Sequence, residues 1–255
     1  MVNSAPTRGP GSRPGALVLH GFTSTTASMQ PVADALADAD IDVEMPLLPG
    51  HGTHWQDLAA TRAETILEAV AAAHDRLAAR CATVVPVGLS MGGALALWSA
   101  ARTPGSGGAP SPGVVVINPG LRLAPMTGAA AAVLGRFRPT LPAIAGDIAK
   151  DGVVEEAYEQ TPLRGVVQLD RLFARSRKAL PLLRERGTAV MLLRSPRDAV
   201  VGSRSAQLLK KRLAPGQVTE VILRRSGHVA TLDWDADLLQ RRTVGFIQSV
   251  HVRDR

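Results

Sequence analysis

Cysteine is almost absent from this chain, which limits the ways in which the fold can be held together. The 255 residues include one cysteine, Cys81, so no disulfide can form within the chain, and nothing indicates an oxidising compartment. A chain of this length buries enough apolar surface in one α/β domain to fold without a disulfide or a structural metal. The sequence therefore predicts a single hydrophobic core.

Long hydrophobic runs are also missing. The longest candidate, GAAAAVLG from Gly128, is far shorter than the roughly 18 apolar residues of a membrane span. Residues 1–15 are rich in proline, glycine and serine and lack the apolar stretch of a secretory signal, so they are predicted to be a flexible tail. We expect a cytoplasmic protein with no stable membrane insertion.

Dense basic blocks and aromatic residues are also scarce in this chain. The formal charge is +7, but the arginines are spread along the chain, and aromatic residues make up only 3% of it. Nucleic-acid-binding surfaces cluster their cations, and many stack bases on aromatic rings. The composition therefore predicts a solvated, Arg-rich surface and no nucleic-acid partner.

What the sequence does contain is an alternation of short apolar runs with helical patterns. Such runs, which are typical of parallel strands buried on both faces, begin at Ala16, Ile41, Thr83, Val114, Ala189 and Val218. The alternation predicts an α/β fold over residues 16–255, with a mostly parallel sheet of about six strands flanked by helices. The clearest helix is predicted over residues 61–80, where Thr61 and Glu64 would form a capping box.

The alternation stops between residues 119 and 180, where prolines interrupt the chain and no strand pattern appears. We interpret this stretch as a helical cap insertion, which would emerge at the carboxyl edge of the sheet because it follows a strand. Its apolar residues exceed what a solvated linker would carry, and some are expected to line a pocket: Leu121, Met126, Val133, Leu134, Phe137, Leu141 and Ile144.

The most informative motif is Gly88-Leu-Ser-Met-Gly92, which lies between a strand pattern and a helix pattern. In this setting Gly-x-Ser-x-Gly is typical of a tight turn that lifts a serine hydroxyl above the sheet. The flanking glycines permit the strained backbone that such a turn requires. Ser90 is therefore a candidate nucleophile.

A serine hydroxyl needs a base to take its proton, and a third group to orient that base. Of the six histidines, His228 follows the last predicted strand and precedes the final helix, where it could face Ser90. Asp198 follows the strand pattern at Ala189 and is the candidate acid. Asp170, in the insertion, and Asp233, which could cap the last helix, are weaker alternatives.

Attack on a carbonyl places negative charge on its oxygen, which needs two fixed donors. The backbone amide of Met91 follows the nucleophile directly. The second donor is expected from the loop after the first strand, where Gly21 permits close approach and the amide of Phe22 can point inward. The Phe22 side chain is a candidate wall of the pocket, although a core role is equally compatible with the sequence.

These motifs resemble the α/β-hydrolase superfamily, and within it the small bacterial carboxylesterases and monoacylglycerol lipases. The resemblance rests on His20-Gly-Phe-Thr, Pro49-Gly-His-Gly52, the serine motif, Asp198 and Ser226-Gly-His-Val-Ala-Thr-Leu-Asp233. It implies an esterase that cleaves a small ester with an acyl chain through an acyl-enzyme, uses a Ser-His-Asp triad without cofactor or metal, and carries a helical cap.

Other activities are compatible with the same motifs. Thioesterases, C–C hydrolases and perhydrolases keep this triad, and a non-catalytic module could retain the pocket for a small ligand. The natural substrate and the oligomeric state stay open at this point.

Overall fold

The computed structural model describes residues 13–105, 109–123, 127–135 and 137–254, with eight strands in those ranges. The strands are β1 (Pro14–Leu19), β2 (Asp42–Glu44), β3 (Thr83–Leu89), β4 (Gly113–Ile117), β5 (Thr140–Pro142), β6 (Gln160–Pro162), β7 (Ala189–Arg194) and β8 (Val218–Ile222). Six of them form one sheet in the order β2-β1-β3-β4-β7-β8, with every neighbouring pair parallel. The prediction of a six-stranded parallel sheet is confirmed.

Helices cover both faces of this sheet. They are α1 (Gln30–Ala37), α2 (Trp55–Ala60), α3 (Ala63–Ala78), α4 (Met91–Ala100), α5 (Thr127–Leu134), α6 (Leu163–Glu185), α7 (Arg204–Arg212) and α8 (Ala236–Arg253). A short 3-10 helix, Thr26–Met29, precedes α1. None of the helices in the described ranges is both long and apolar enough to cross a membrane.

Successive strand residues point to opposite faces, and both faces are buried. In β1, Leu17 and Leu19 join an apolar cluster with α3, α4 and α6, whereas Ala16 and Val18 join a second cluster with α1 and α8. The two clusters explain why the strands appear in the sequence as continuous apolar runs.

The first strand begins earlier than the sequence predicted. Pro14 and Gly15 already pair with β3, so the predicted tail of residues 1–15 is too long by these two residues, and residues 1–12 lie outside the described part. A Cβ on Gly15 would lie 2.8 Å from the Sγ of Cys81, so any larger residue here would force neighbouring side chains to shift. The composition of the tail concealed the strand because proline and glycine rarely occupy strands.

The insertion is helical at both ends, where α5 and α6 lie, but its middle is extended. β5 and β6 pair antiparallel as a separate two-stranded ribbon, and α6 continues to Glu185, beyond the expected end near residue 180. Proline lacks an amide hydrogen and favours extended backbone, so Pro142 and Pro162 end up in this ribbon. The expectation of an insertion without strands was wrong in this respect.

The start of the clearest helix also differs. α3 begins at Ala63 with Arg62 as N-cap, and the Thr61 hydroxyl donates to the carbonyl of Asp57 at 2.7 Å. Thr61 therefore closes the preceding helix α2, and the predicted capping box with Glu64 does not form.

Candidate active site

The turn between β3 and α4 places Ser90 in a strained conformation. Its backbone has φ 56° and ψ −115°, a region that non-glycine residues seldom occupy and that costs about 1–3 kcal/mol. A Cβ on Gly88 would collide with the carbonyl of Gly92, and a Cβ on Gly92 would collide with the carbonyl of Leu19. The two glycines of the motif are therefore required by the close approach of α4 to β1 and β3.

Hydrogen bonds to neighbouring elements hold the strained turn in place. The Ser90 amide donates to the carbonyl of Ile117 at 3.0 Å, and its carbonyl accepts from the amides of Ala94 (3.2 Å) and Gly120 (3.0 Å). Ser90 thus opens α4 while it is also tied to the end of β4. The half-buried side chain lies on a cavity that His228, Gly21 and Phe22 also line.

His228 and Asp198 are brought together by the loops that follow β8 and β7. The Nδ1 of His228 lies 3.0 Å from Oδ2 of Asp198, with 9% and 2% of their side chains exposed. The other carboxylate oxygen of Asp198, Oδ1, accepts the amides of Val200 (2.8 Å) and Val201 (2.9 Å). A carboxylate held in this way can fix the orientation of the imidazole ring.

Burial disfavours the charged form of Asp198, but other contacts outweigh it. The close contact with the His228 ring, together with the amides of Val201 and Val200, holds the pKa of Asp198 below its ordinary value. Asp198 therefore stays ionised at neutral pH, as a group that supports an imidazolium must.

Asn118 braces the two loops that carry this pair. It follows β4 directly, has φ 40°, and donates its side-chain amide to the carbonyl of His228 at 2.8 Å and to Oγ of Ser195 at 3.0 Å. Its own Oδ1 accepts the amide of Ser195 at 2.7 Å. The sequence reasoning missed Asn118, although an amide residue placed directly after a buried strand at the carboxyl edge was a usable signal.

Two aspartates, Asp233 at the end of the C-terminal motif and Asp235 just beyond it, shape the His228 loop. Asp233 Oδ2 accepts the amide of Gly227 at 2.7 Å, and Asp235 Oδ2 accepts the Arg225 amide (2.8 Å) and the Ser226 hydroxyl (3.0 Å). The N-cap of α8 is Asp235, so Asp233 does not cap this helix as expected. The loop from Arg225 to Asp235 is thus held by its own hydrogen bonds, and it presents His228.

The loop after β1 lies beside the nucleophile. A Cβ on Gly21 would sit 3.7 Å from the Cβ of Ser90, which brings the Phe22 peptide close to the reacting centre. Met91 is fully buried at the first position of α4, where helix amides have no intrahelical acceptor. The Phe22 ring lines the cavity and meets the ring of His51 edge-on at 6.4 Å between centroids.

Two buried histidines hold this loop without carrying charge. His20 Nδ1 is 2.9 Å from the carbonyl of Gly21, and its Nε2 accepts the amide of Leu48 at 3.1 Å, which fixes the proton on Nδ1. Burial, then the nearby His51, lowers the pKa of His20 to about 3, and burial lowers the pKa of His51 to about 4. The sequence marked both as loop histidines but did not reveal this role.

The remaining candidates are placed elsewhere. His74 lies 2.7 Å from the Ser99 hydroxyl in the core, and His251 lies 3.0 Å from Thr83 at the other end of the sheet. Asp170 lines the cavity beside Gly128 on α5, whereas His228 meets Asp198. Neither His74 nor His251 can serve as base to Ser90.

The cavity above Ser90 has a volume of about 1440 Å³ and is lined largely by the insertion and by the loop after β7. Its larger apolar lining residues are Phe22, Leu89, Leu123, Ile144, Leu169, Phe173, Val200 and Val201. Of the apolar residues expected to line it, Ile144 does so, Leu121 is buried in the core, and Phe137 is 85% exposed. Met126 lies outside the described residues.

Comparison with known proteins agrees with this architecture. Residues 16–241 match the model of the alpha/beta hydrolase family. The thermostable monoacylglycerol lipase of Bacillus sp. (strain H-257) is 35% identical over 236 residues, which cover 91% of this chain and 89% of that protein.

Solved structures give the same result. One from the pair of metagenome-derived lipolytic enzymes LipS and LipT is 34% identical, with a TM-score of 0.86 over 94% of this chain and 95% of that one. The monoacylglycerol lipase of Paleococcus ferrophilus is 17% identical, with a TM-score of 0.73 over 95% and 96% of the two chains, and so supports the fold alone.

Proposed function

Because the chain belongs to the alpha/beta hydrolase family and is a carboxylic ester hydrolase, we propose that it cleaves monoacylglycerols or similar small esters through an acyl-enzyme on Ser90. The observation that carries this proposal is the strained Ser90 on the same cavity as His228, whose ring is paired with Asp198 at 3.0 Å. Strain of this kind is found where a fold holds a reactive group in place.

The positions of these groups support a two-step reaction. As Oγ of Ser90 attacks the ester carbonyl, its proton passes to Nε2 of His228, and Asp198 stabilises the imidazolium. The backbone amides of Phe22 and Met91 donate to the oxyanion. The C–O bond then breaks, and the alcohol leaves with the proton from His228. Water attacks the acyl-enzyme by the same route and releases the carboxylic acid.

The cavity supports an acyl chain as the bound part of the substrate. Its volume of about 1440 Å³ and its lining of leucine, isoleucine, valine and phenylalanine side chains suit a hydrocarbon chain. The 35% identical relative is named a monoacylglycerol lipase, which suggests glycerol as the leaving alcohol. The polar side chains of Glu155 and Asp170, which also line the cavity, are compatible with a hydroxylated alcohol.

The test is hydrolysis of monolauroylglycerol by the wild-type chain and by Ser90→Ala. We expect kcat/KM to fall by about 10³-fold or more, with the melting temperature little changed, because only binding and oxyanion contributions remain. Ser249→Ala, on the exposed side of α8, is the matched control and should retain full activity.

A fluorophosphonate probe separates the alternatives. The proposed enzyme is labelled on Ser90, whereas a non-catalytic binding module stays unlabelled and hydrolyses no ester. Lauroyl thioesters and monolauroylglycerol are then compared directly. A higher kcat/KM for the thioester would contradict the assignment of a glycerol ester as substrate.

A further inference from the structure

One carboxylate of the insertion binds both loops that carry the acid and the base. Oδ2 of Asp147 accepts the amide of Ala199 at 2.9 Å and the amide of His228 at 3.0 Å. The backbone carbonyl of Asp147 accepts the amide of Val229 at 3.1 Å. Asp147 therefore bridges Ala199, the residue after Asp198, and His228, the proposed base.

Asp147 is itself held from several sides. Gly146 precedes it with φ 85° and donates its amide to the Glu155 carboxylate at 2.9 Å. Ile148 follows and packs against the apolar cluster beneath the His228 loop. The amide of Ala149 donates at 2.7 Å to Asp233, the residue that also holds Gly227. These contacts leave the carboxylate little freedom to move.

The close approach of Asp147 also explains a glycine of the C-terminal motif. A Cβ on Gly227 would lie 2.5 Å from the carbonyl oxygen of Asp147 and 2.9 Å from its Oδ1. Any larger residue at position 227 would push the insertion away from the His228 loop. The glycine beside the base therefore makes room for a residue about 80 positions earlier in the chain.

We propose that Asp147 is a positioning residue, which holds the Asp198 and His228 loops at the separation that their 3.0 Å contact needs. This inference rests on the proposed function of the same site. The two loops follow different strands, and each depends on a partner outside itself to fix its distance from the other. Asn118 supplies such a partner from the sheet below, and Asp147 supplies one from the insertion. The insertion thus contributes to the rate of the chemical step as well as to substrate choice.

The first test compares Asp147→Ala with Asp147→Asn and the wild-type chain. Alanine removes both hydrogen bonds, so kcat should fall by about 10- to 100-fold with KM changed less than about threefold, as expected for a small displacement of catalytic groups. The amide oxygen of asparagine can accept both backbone amides, so Asp147→Asn should recover kcat to within about fivefold of wild type. Asp151→Ala, which removes an exposed carboxylate from the same segment, is the control.

Misfolded protein must not count as lost activity. Rates are therefore divided by the amount of enzyme that a fluorophosphonate labels to completion, and the melting temperature is recorded for each variant. If Asp147→Ala yields too little folded protein, Asp147→Leu keeps the side-chain volume without accepting a hydrogen bond and replaces it. Either variant at wild-type kcat would overturn the proposal.

A double-mutant cycle distinguishes positioning from general stability. If Asp147 acts through the acid–base pair, Asp147→Ala should cost less than about threefold in an Asp198→Asn background, because the pair is already impaired. Equal costs in both backgrounds would assign Asp147 a structural role only. If wild-type hydrolysis instead proves independent of Ser90, the proposed function fails first; if it depends on Ser90 while the cycle is additive, only the positioning role fails.

Discussion

The turn around Ser90 and the extended segment between residues 137 and 162 both border the cavity, but they are built in opposite ways. At the turn, a Cβ on Gly88 or Gly92 would collide with backbone carbonyls of adjacent elements. In the segment, Gly146 and Gly152 have no atom within 4 Å of the place where a Cβ would be. Apolar side chains there, such as Val154, reach 87% exposure.

The two regions therefore differ in how strictly packing fixes the path of the chain. The turn allows one backbone path, so its residue types follow from geometry and can be recognised in a sequence. The segment allows many side chains at most positions. Its proposed contribution to function comes from a few long-range contacts, such as those of Asp147. Substitutions of the same kind should therefore have very different effects in the two regions.

The largest difference is expected for a glycine-to-alanine pair. Gly88→Ala forces α4 away from β3, so we expect loss of soluble, active protein, equivalent to at least about 4 kcal/mol of unfolding free energy. Gly152→Ala places a Cβ in open space at φ 75°, where only the left-handed conformation costs about 1–2 kcal/mol. The yield of soluble protein and, where protein is recovered, its urea unfolding measure the contrast, and similar losses for the two variants would contradict it.

The next effect concerns the acid. In Asp198→Asn the side-chain amide would donate towards Nδ1 of His228 and favour the tautomer whose Nε2 carries the proton, which cannot accept from Ser90. We expect kcat to fall by about 10²- to 10⁴-fold with KM changed little. Asp170→Asn, which changes a carboxylate that lines the cavity, is the comparison. A larger loss for Asp170→Asn would mean that the acid is wrongly assigned.

The sequence predicted the sheet and the turn around Ser90 well. Six parallel strands, the serine turn and the loops of Asp198 and His228 all follow from apolar runs and short motifs at strand ends. Such signals are local, because each strand is buried on both faces and each motif must satisfy its own backbone geometry. Even there the predicted tail was too long, since proline and glycine obscured the start of β1.

The insertion was predicted poorly for a physical reason. Three features were not foreseen: its ribbon, its exposed Phe137 and the contacts of Asp147. They depend on contacts with residues far away in the chain, which the hydrophobic pattern of the sequence does not indicate. Asp147 lies 81 positions from His228, between residues with no repeating pattern. Asn118 was recoverable in principle, because it directly follows a strand whose end was already identified.

Buried histidines such as His74 on α3 pack among the helices that cover the sheet, so the free energy of unfolding should fall in acid. Burial, then Arg102, lowers the pKa of His74 to about 4, below the ordinary value near 6.5. Between pH 6.5 and pH 4 the unfolded chain binds a proton on this histidine that the folded chain does not. The fold is therefore most stable above pH 6.5, and stability is lost as the pH falls from 6.5 towards 4. From pH 7 to pH 5 the loss is about 2 kcal/mol for such a histidine.

His74→Gln tests this assignment, because glutamine does not titrate. Unfolding free energies of wild type and variant are measured at pH 7 and pH 5, and the variant should lose about 2 kcal/mol less than wild type over this interval. The variant starts from lower stability, so only the change with pH is compared. An unchanged pH dependence would show that His74 is not kept neutral by the fold.

The smallest effect is expected within the insertion, between two apolar residues only a few positions apart. Ile144 lines the cavity, whereas Phe137 is 85% exposed and is not among the residues that line it. Ile144→Ala should therefore lower kcat/KM for long acyl chains relative to short ones by up to about tenfold, since each methylene contact contributes roughly 1 kcal/mol or somewhat more to discrimination. Phe137→Ala should leave this ratio unchanged, although it removes the larger side chain. Rates for acetate through decanoate esters of one alcohol give the profile for both variants. A shifted profile for Phe137→Ala with none for Ile144→Ala would mean that the acyl chain follows the outer surface of the insertion and not the cavity above Ser90.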